Sequence, residues 1–454
     1  MVRDLTVGKP LRQIMLFVAP LLTGNIFQQF YSMVDTVIVG QYLGVTALAA
    51  VGATGALSFF ILGFVQGVTS GLTIITAECF GAGDGAGVKR SIRCCAQIGL
   101  ALSLVMTALS VPLVRPLLRL MSTPEELMPG ASAYMEIICA GMFATIFYNL
   151  ISAVLRALGD SRTPLIFLIL SSLLNVILDI VTIAVFKMGV EGAAYATVLS
   201  QLIAGSLCLA YGLHRCDYLH VGSPVRDMDL GLWKTHLRIA LPMGLQFSVT
   251  AIGSMIMQSA FNLFDTAGVA AYTAAMKVEQ VMVQPSAALG ITMATYCSQN
   301  RGAGETKRIL TGMRLAALVS LACCLAAILL NFLWGDAFMS IFMDEKTALI
   351  QEYSHTYLML TSLFYPALGL LFVYRNALQG LGESLVPMLG GVGELIARAA
   401  ICLTLPARMG YLGACLASPI AWVAAALLTA CRYAVLAARW RKNPAPLPAH
   451  QPQA

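Results

Sequence analysis

Charge is what this chain has least of. Only 11% of its 454 residues are Asp, Glu, Lys or Arg, 58% are hydrophobic, and the mean hydropathy is +0.80. An average soluble domain carries about 25% charged residues. Depletion on this scale excludes a soluble enzyme, a nucleic-acid-binding protein and a disordered chain. Arrangements that carry chemistry are equally scarce. No CxxC pair occurs among the 12 cysteines, most of which lie inside apolar runs and read as small hydrophobes between helices. The five histidines (His214, His220, His236, His355, His450) show no ligand spacing. Gly81-Ala82-Gly83-Asp84-Gly85-Ala86-Gly87 satisfies neither GxGxxG nor GxxxxGK[ST] in any register, and no strand precedes it, so it reads as a tight turn. With no nucleotide motif, ATP is excluded as a direct fuel, and with no catalytic constellation the chain is not an enzyme.

What the sequence has is apolar length. A membrane helix needs about 20 apolar residues to cross roughly 30 Å of hydrocarbon. Such runs fall near 11–39, 46–76, 92–114, 131–156, 163–186 and 191–213, then near 236–262, 267–297, 308–333, 352–378, 385–406 and 411–437. The runs are continuously apolar rather than alternating, so helices are expected and a barrel is not. The spacing predicts an all-α membrane protein of twelve transmembrane helices in two groups of six. Residues 1–213 form an N-terminal lobe, 214–234 a linker, 235–437 a C-terminal lobe and 438–454 a tail. Most of the 28 Lys and Arg residues fall on the side of both termini, with Arg115, Arg119, Lys187, Lys346 and Arg408 opposite. The positive-inside rule then places both termini in the cytoplasm.

The two groups repeat each other. Phe80-Gly81-Ala82-Gly83-Asp84 is matched by Arg301-Gly302-Ala303-Gly304-Glu305, and Leu158-Gly159-Asp160-Ser161 by Leu381-Gly382-Glu383-Ser384. Met188-Gly189 is matched by Met409-Gly410 and Pro20 by Pro242, all at offsets of 221 to 223 residues. Six spans per half put both halves into the membrane with the same orientation. Two pseudo-symmetric six-helix lobes around a central cleft are therefore expected, an arrangement suited to alternating access by rocking.

Within the apolar runs, acids are functional candidates, because a charge at the bilayer centre is costly. Asp35 lies in the first span. Asn175 and Asp179 lie in the fifth, at i and i+4 on one helical face. Two carboxylates from different helices, an Asn oxygen and a nearby hydroxyl make a hard-oxygen set suited to Na⁺, and two desolvated carboxyls close together could instead share a proton. Glu279 is the acid of the second lobe and meets Arg398 or lines the cleft. Glu394 and Arg398, at i and i+4, read as an intrahelical pair. Tyr31, Phe147, Tyr148, Tyr365 and Tyr374 sit in spans that could wall a cleft and hold a flat cation by its ring contacts.

Pro20 with Asn25, Val34-Asp35-Thr36-Val37-Ile38-Val39-Gly40, Ala47-Leu48-Ala49-Ala50-Val51-Gly52 and the duplicated glycine turns carry a family resemblance. From Leu11 to about Leu436 the chain resembles the multidrug and toxic compound extrusion (MATE) family. The resemblance implies a monomeric antiporter of the bacterial cytoplasmic membrane that exports amphipathic, often cationic, organic compounds in exchange for Na⁺ or H⁺, with no further cofactor. It also implies a cation site made of a helix 1 Asp, an Asn and an Asp one turn apart on helix 5, and a helix 6 Thr. Asp35, Asn175, Asp179 and Thr197 stand in those places. The tenth span has no acid, unlike members that place one there for coupling. A flippase for lipid-linked precursors is the alternative within the broader fold. Its pyrophosphate substrate calls for several cationic residues lining the cavity, and only Lys277 and Arg398 lie deep in spans.

Overall fold

The computed structural model describes residues 3–222, 228–340 and 347–442. Arg226, Lys346, His450 and the tail beyond Lys442 lie outside the described residues. Among those described there is no strand. The helical segments are α1 (Pro10–Ala53), α2 (Gly55–Gly81), α3 (Gly85–Leu120), α4 (Met128–Ala140 with Met142–Ala157), α5 (Arg162–Val185) and α6 (Val190–Arg215). They continue as α7 (Leu230–Phe261), α8 (Asp265–Met282 with Gln284–Gly302), α9 (Thr306–Met339), α10 (Ala348–Ser362 with Tyr365–Gly380), α11 (Leu385–Thr404) and α12 (Tyr411–Lys442). The chain is a multi-pass membrane protein.

Among the described residues, nine of these segments are long and apolar enough to cross a bilayer, and eleven if the bent α4 and α10 each count as one. The expected eighth span is the exception. Its second part, Gln284–Gly302, buries Thr292, Ser298, Gln299 and Asn300 inside the protein. Polar groups facing protein need no apolar stretch to shield them from lipid, so hydropathy alone undersells this helix. The other faces are as lipid demands. Leu104 is 67% exposed and Leu403 82%, an arrangement water would penalise and hydrocarbon does not.

The chain forms two compact units, one built on Ala19–Gly244 and one on Leu5–Val18 with Leu245–Leu447. The division by packing thus falls inside α7, just after Pro242, whereas the repeats mark 214–234. The first turns of α1 belong to the second unit. There the Leu5 N–H donates to Gln299 Oε1 (3.0 Å), while Arg308 donates to the carbonyls of Leu5 (3.0 Å) and Gly8 (2.8 Å). The first unit has an aliphatic centre around Val68, Leu72, Ile151 and Leu155. The second is built on stacked rings, with Phe261 on Tyr272 at 4.0 Å and Tyr353 on Tyr411 at 4.1 Å.

The duplicated turns are duplicated in conformation. Gly83 and Gly304 both have φ of 72°, Gly159 and Gly382 have 83° and 76°, and Gly189 and Gly410 have 66° and 59°. These are left-handed values that residues with a Cβ rarely adopt, which is why glycine holds these turns, after a helix at the first two pairs and before one at Gly189 and Gly410. The broken helices also correspond, α4 bending by 52° and α10 by 49°.

Candidate cation site in the first unit

Asp179 ends the regular part of α5. The next turn, Ile180–Val185, is a π-helix, closed by Phe186 N–H donating to Val181 O five residues back (2.9 Å). Single π-turns inside membrane or soluble helices frequently mark functional sites. Asp179 is fully buried and Asn175 only 1% exposed, one turn earlier on the same face. Asp35 of α1 is half-buried and approaches from the opposite wall, near enough for its carboxyl to hydrogen-bond that of Asp179.

Asn175 organises the rest. With its amide turned so that both ends are satisfied, Nδ2 donates to Asp179 Oδ2 (3.0 Å) and to the Tyr31 hydroxyl (2.6 Å), while Oδ1 accepts from the Thr197 N–H (3.1 Å). Thr197 on α6 and Tyr134 on α4 close the pocket, the phenol of Tyr134 facing Thr197 and both carboxylates. Asp35 Oδ1 and Asp179 Oδ1 remain buried with no hydrogen-bond donor. An acceptor oxygen buried without a donor costs about 1–3 kcal/mol. Two of them on neighbouring carboxyls offer a place for a proton or a small cation. Among the described residues no three His, Cys, Asp or Glu side chains cluster as a transition-metal site would require.

All four expected cation-site residues, Asp35, Asn175, Asp179 and Thr197, therefore come together, and Tyr31 joins them. Tyr31 meets Asn175 in this pocket. Tyr148 and Tyr365 do not join it: they are 9% and 1% exposed, buried within their own units, and the Tyr365 hydroxyl accepts from Asn331 (3.4 Å). In the second unit Glu279 accepts from the Tyr357 hydroxyl (3.2 Å) and acts on Arg398 only through space. Arg398 is tied to Glu394 (3.3 Å), as the i, i+4 spacing suggests, and Arg375 shares that same carboxylate (3.5 Å). Lys277, within the eighth run of the sequence, is exposed. The residue that reading the sequence missed is Tyr134. The repeat held its signal: an offset of 223 carries Pro164 to Pro387 and Tyr134 to Tyr357, the tyrosine that meets the acid of the second unit.

The comparisons with known proteins agree with this architecture. The MatE family model matches residues 20–181 and again 242–403, once in each half. The chain is 30% identical over 385 residues to the probable multidrug resistance protein YpnP of Bacillus subtilis, covering 84% of this chain and 85% of that one. It is 26% identical to a protein named FAD transporter in Shewanella oneidensis, over 86% of this chain and 87% of that one. A solved MOP-superfamily transporter from Pyrococcus furiosus superposes with a TM-score of 0.89 at 23% identity, covering 97% of this chain and 98% of that one. The chain belongs to the MatE family, the multidrug and toxic compound extrusion transporters its motifs resemble, and is a membrane transporter rather than an enzyme.

Proposed function

We propose that the chain is a cation-coupled antiporter exporting amphipathic, often cationic, organic compounds by alternating access. The observation that carries this reading is the Asp35–Asp179 pair with its two donorless oxygens. Two carboxyls at hydrogen-bond distance hold one proton between them more stably than two full charges. A sodium ion would need the same oxygens to part and gather further ligands. On this reading the coupling ion is H⁺ rather than Na⁺. Loading the site neutralises buried charge and lets α1 repack against α5, bending at Pro20. Drug and ion then exclude one another by linkage between two states of the same helices, without touching. Glu279 adds attraction for cationic substrates in the second unit. The chain works as a monomer in the bacterial cytoplasmic membrane with both termini inside.

A flippase for lipid-linked precursors is the weaker reading. Its anionic substrate needs free cationic side chains in the transport path, and Arg375 and Arg398 are spent on Glu394. The test is ethidium efflux from liposomes with pH and Na⁺ gradients imposed separately. A pH gradient alone should drive efflux. If only a Na⁺ gradient does, the coupling ion is Na⁺. If neither does, the antiport reading fails.

A further inference from the structure

Away from the cation site, the first unit carries two hollows that share a face of α3. One, of about 550 Å³, is polar and is walled by Ala86 and Lys89 of α3, Arg215 at the end of α6, and Asp217 and Tyr218 beyond it. The other, of about 310 Å³, is walled by Ile92, Ala96 and Leu100 of α3, Leu213 of α6, and Leu219 and Val221 beyond it, with no charged side chain in its lining. On α3 the wall runs 86, 89, 92, 96, 100, steps of three and four residues that keep one helical face. The two hollows thus follow one another along this face of α3, the charged one first. Arg93 donates from Nε (3.0 Å) and Nη2 (2.7 Å) to Val221 O, fixing a residue that walls the apolar hollow. The lip of the apolar hollow is open to lipid: Leu100 is 44% exposed and Phe143 48%. The small side chain of Ala96 lines it.

We propose that this stripe is a binding site for one anionic phospholipid, the headgroup at Lys89 and Arg215 and an acyl chain in the apolar hollow. Charge decides the occupant. Neither Lys89 nor Arg215 has a carboxylate partner among the described residues, and Arg215 is stacked 5.9 Å from the Tyr211 ring centroid instead. One acid, Asp217, faces these two cations, so the polar end keeps a net positive charge that repels an amphipathic cation and attracts a phosphate. The Lys- and Arg-rich end of a membrane protein lies against the leaflet that holds anionic lipid. A phosphate above an acyl chain matches a cationic hollow above an apolar one. The site is separate from the Asp35–Asp179 pair and does not depend on the ion that pair takes.

Native mass spectrometry of the purified protein tests this with phosphatidylglycerol, phosphatidylcholine and sn-glycerol 3-phosphate as probes. Phosphatidylglycerol should bind tighter than phosphatidylcholine, and Lys89→Gln/Arg215→Gln should weaken it on the order of tenfold, as expected for two surface cations. Ala96→Phe, which fills the hollow and leaves both cations in place, should weaken both lipids. Equal binding of the two lipids, or wild-type phosphatidylglycerol binding by the double variant, overturns the headgroup assignment. Equal binding of glycerol 3-phosphate and lipid, or no effect of Ala96→Phe, overturns the acyl assignment. Thermal unfolding of each variant without lipid must match the parent. A variant that unfolds early is replaced by Lys89→Met/Arg215→Met or Ala96→Leu, for which the same losses are expected.

Discussion

The two units share their turns and differ in their interiors. An offset of 222 carries Pro20 to Pro242 and therefore Asp35 to Met257; an offset of 223 carries Pro164 to Pro387 and therefore Asp179 to Cys402 and Asn175 to Arg398. Met257 and Cys402 are indeed neighbours, Sδ to Sγ at 3.7 Å, where the first unit has its two carboxyls. One scaffold position thus holds an ionisable pair in one copy and a soft apolar pair in the other. The glycine turns stayed alike because left-handed backbone has almost no substitute for glycine. Interior side chains were free to diverge. In the second unit the polar positions form an Arg375–Glu394–Arg398 network, and Ser171 stands where Glu394 would be in the first.

The comparison breaks most sharply if the two equivalent pairs are altered in turn. Asp35→Asn or Asp179→Asn removes a carboxyl of the proposed ion site and should abolish gradient-driven efflux, with the protein still folded. Met257→Leu, a volume-conserving change costing under about 1.5 kcal/mol, should leave coupling intact. Liposome efflux under an imposed gradient, with melting temperatures taken in parallel, decides it. Full coupling in either Asp variant would move the ion site elsewhere, with Glu279 the next place to look.

Stability should respond most in the second unit. Glu394→Gln leaves Arg375 and Arg398 buried side by side with no carboxylate between them, at a cost of about 3–5 kcal/mol. Gly253 makes room for this network, since a Cβ there would meet Arg398 Nη1 at 2.8 Å. Detergent-solubilised Glu394→Gln should melt well below the parent. A melting temperature within a degree would mean the network is solvated rather than buried.

A smaller effect is expected from Asn175→Ala. It removes the amide that donates to Asp179 and Tyr31, on the order of 1–2 kcal/mol for lost buried contacts. The carboxyl pair remains, so efflux should slow and its pH profile shift without coupling being lost. Complete loss of coupling would make Asn175 an obligatory ligand.

How much of this was legible in the sequence follows from what each signal depends on. Asp35 and Asp179 stood out because an acid in an apolar run has few structural excuses, and the i, i+4 relation drew in Asn175. The glycine turns stood out because they recur at fixed offset. Tyr134, Tyr148 and Tyr365 could not be sorted, since a tyrosine in a span serves lipid face, core or site equally well and only packing separates them. The π-turn after Asp179 left no mark, because a hydrogen-bond register is not written in side-chain type. The grouping of Leu5–Val18 with the second unit depends on Gln299 and Arg308, almost 300 residues away, where no local pattern points.

The smallest expected effect tests the turns, where the units agree most. Asp160 follows Gly159, and its Oδ1 accepts from the N–H groups of Arg162 (3.0 Å) and Thr163 (3.0 Å) while Oδ2 accepts from the Thr163 hydroxyl (2.6 Å), capping α5. The matching Glu383 instead reaches Arg432 of α12 (2.5 Å). Burial alone would push the Asp160 carboxyl up, but its hydrogen bonds, those from Thr163 among them, outweigh burial and hold it below the ordinary carboxylate value. A depressed carboxyl stabilises the fold at neutral pH, and that contribution is lost as pH falls through the folded-state value. Asp160→Ala should therefore cost about 1 kcal/mol at pH 7, as for a lost helix cap. The deficit should shrink on acidification below about pH 4, near the ordinary Asp value. Glu383→Ala removes a half-exposed ion pair and should cost no more than about 1 kcal/mol. Melting temperatures of both variants from pH 7 to pH 3 check this. A deficit for Asp160→Ala that stays constant across the range would show that its carboxylate charge is not what holds the turn.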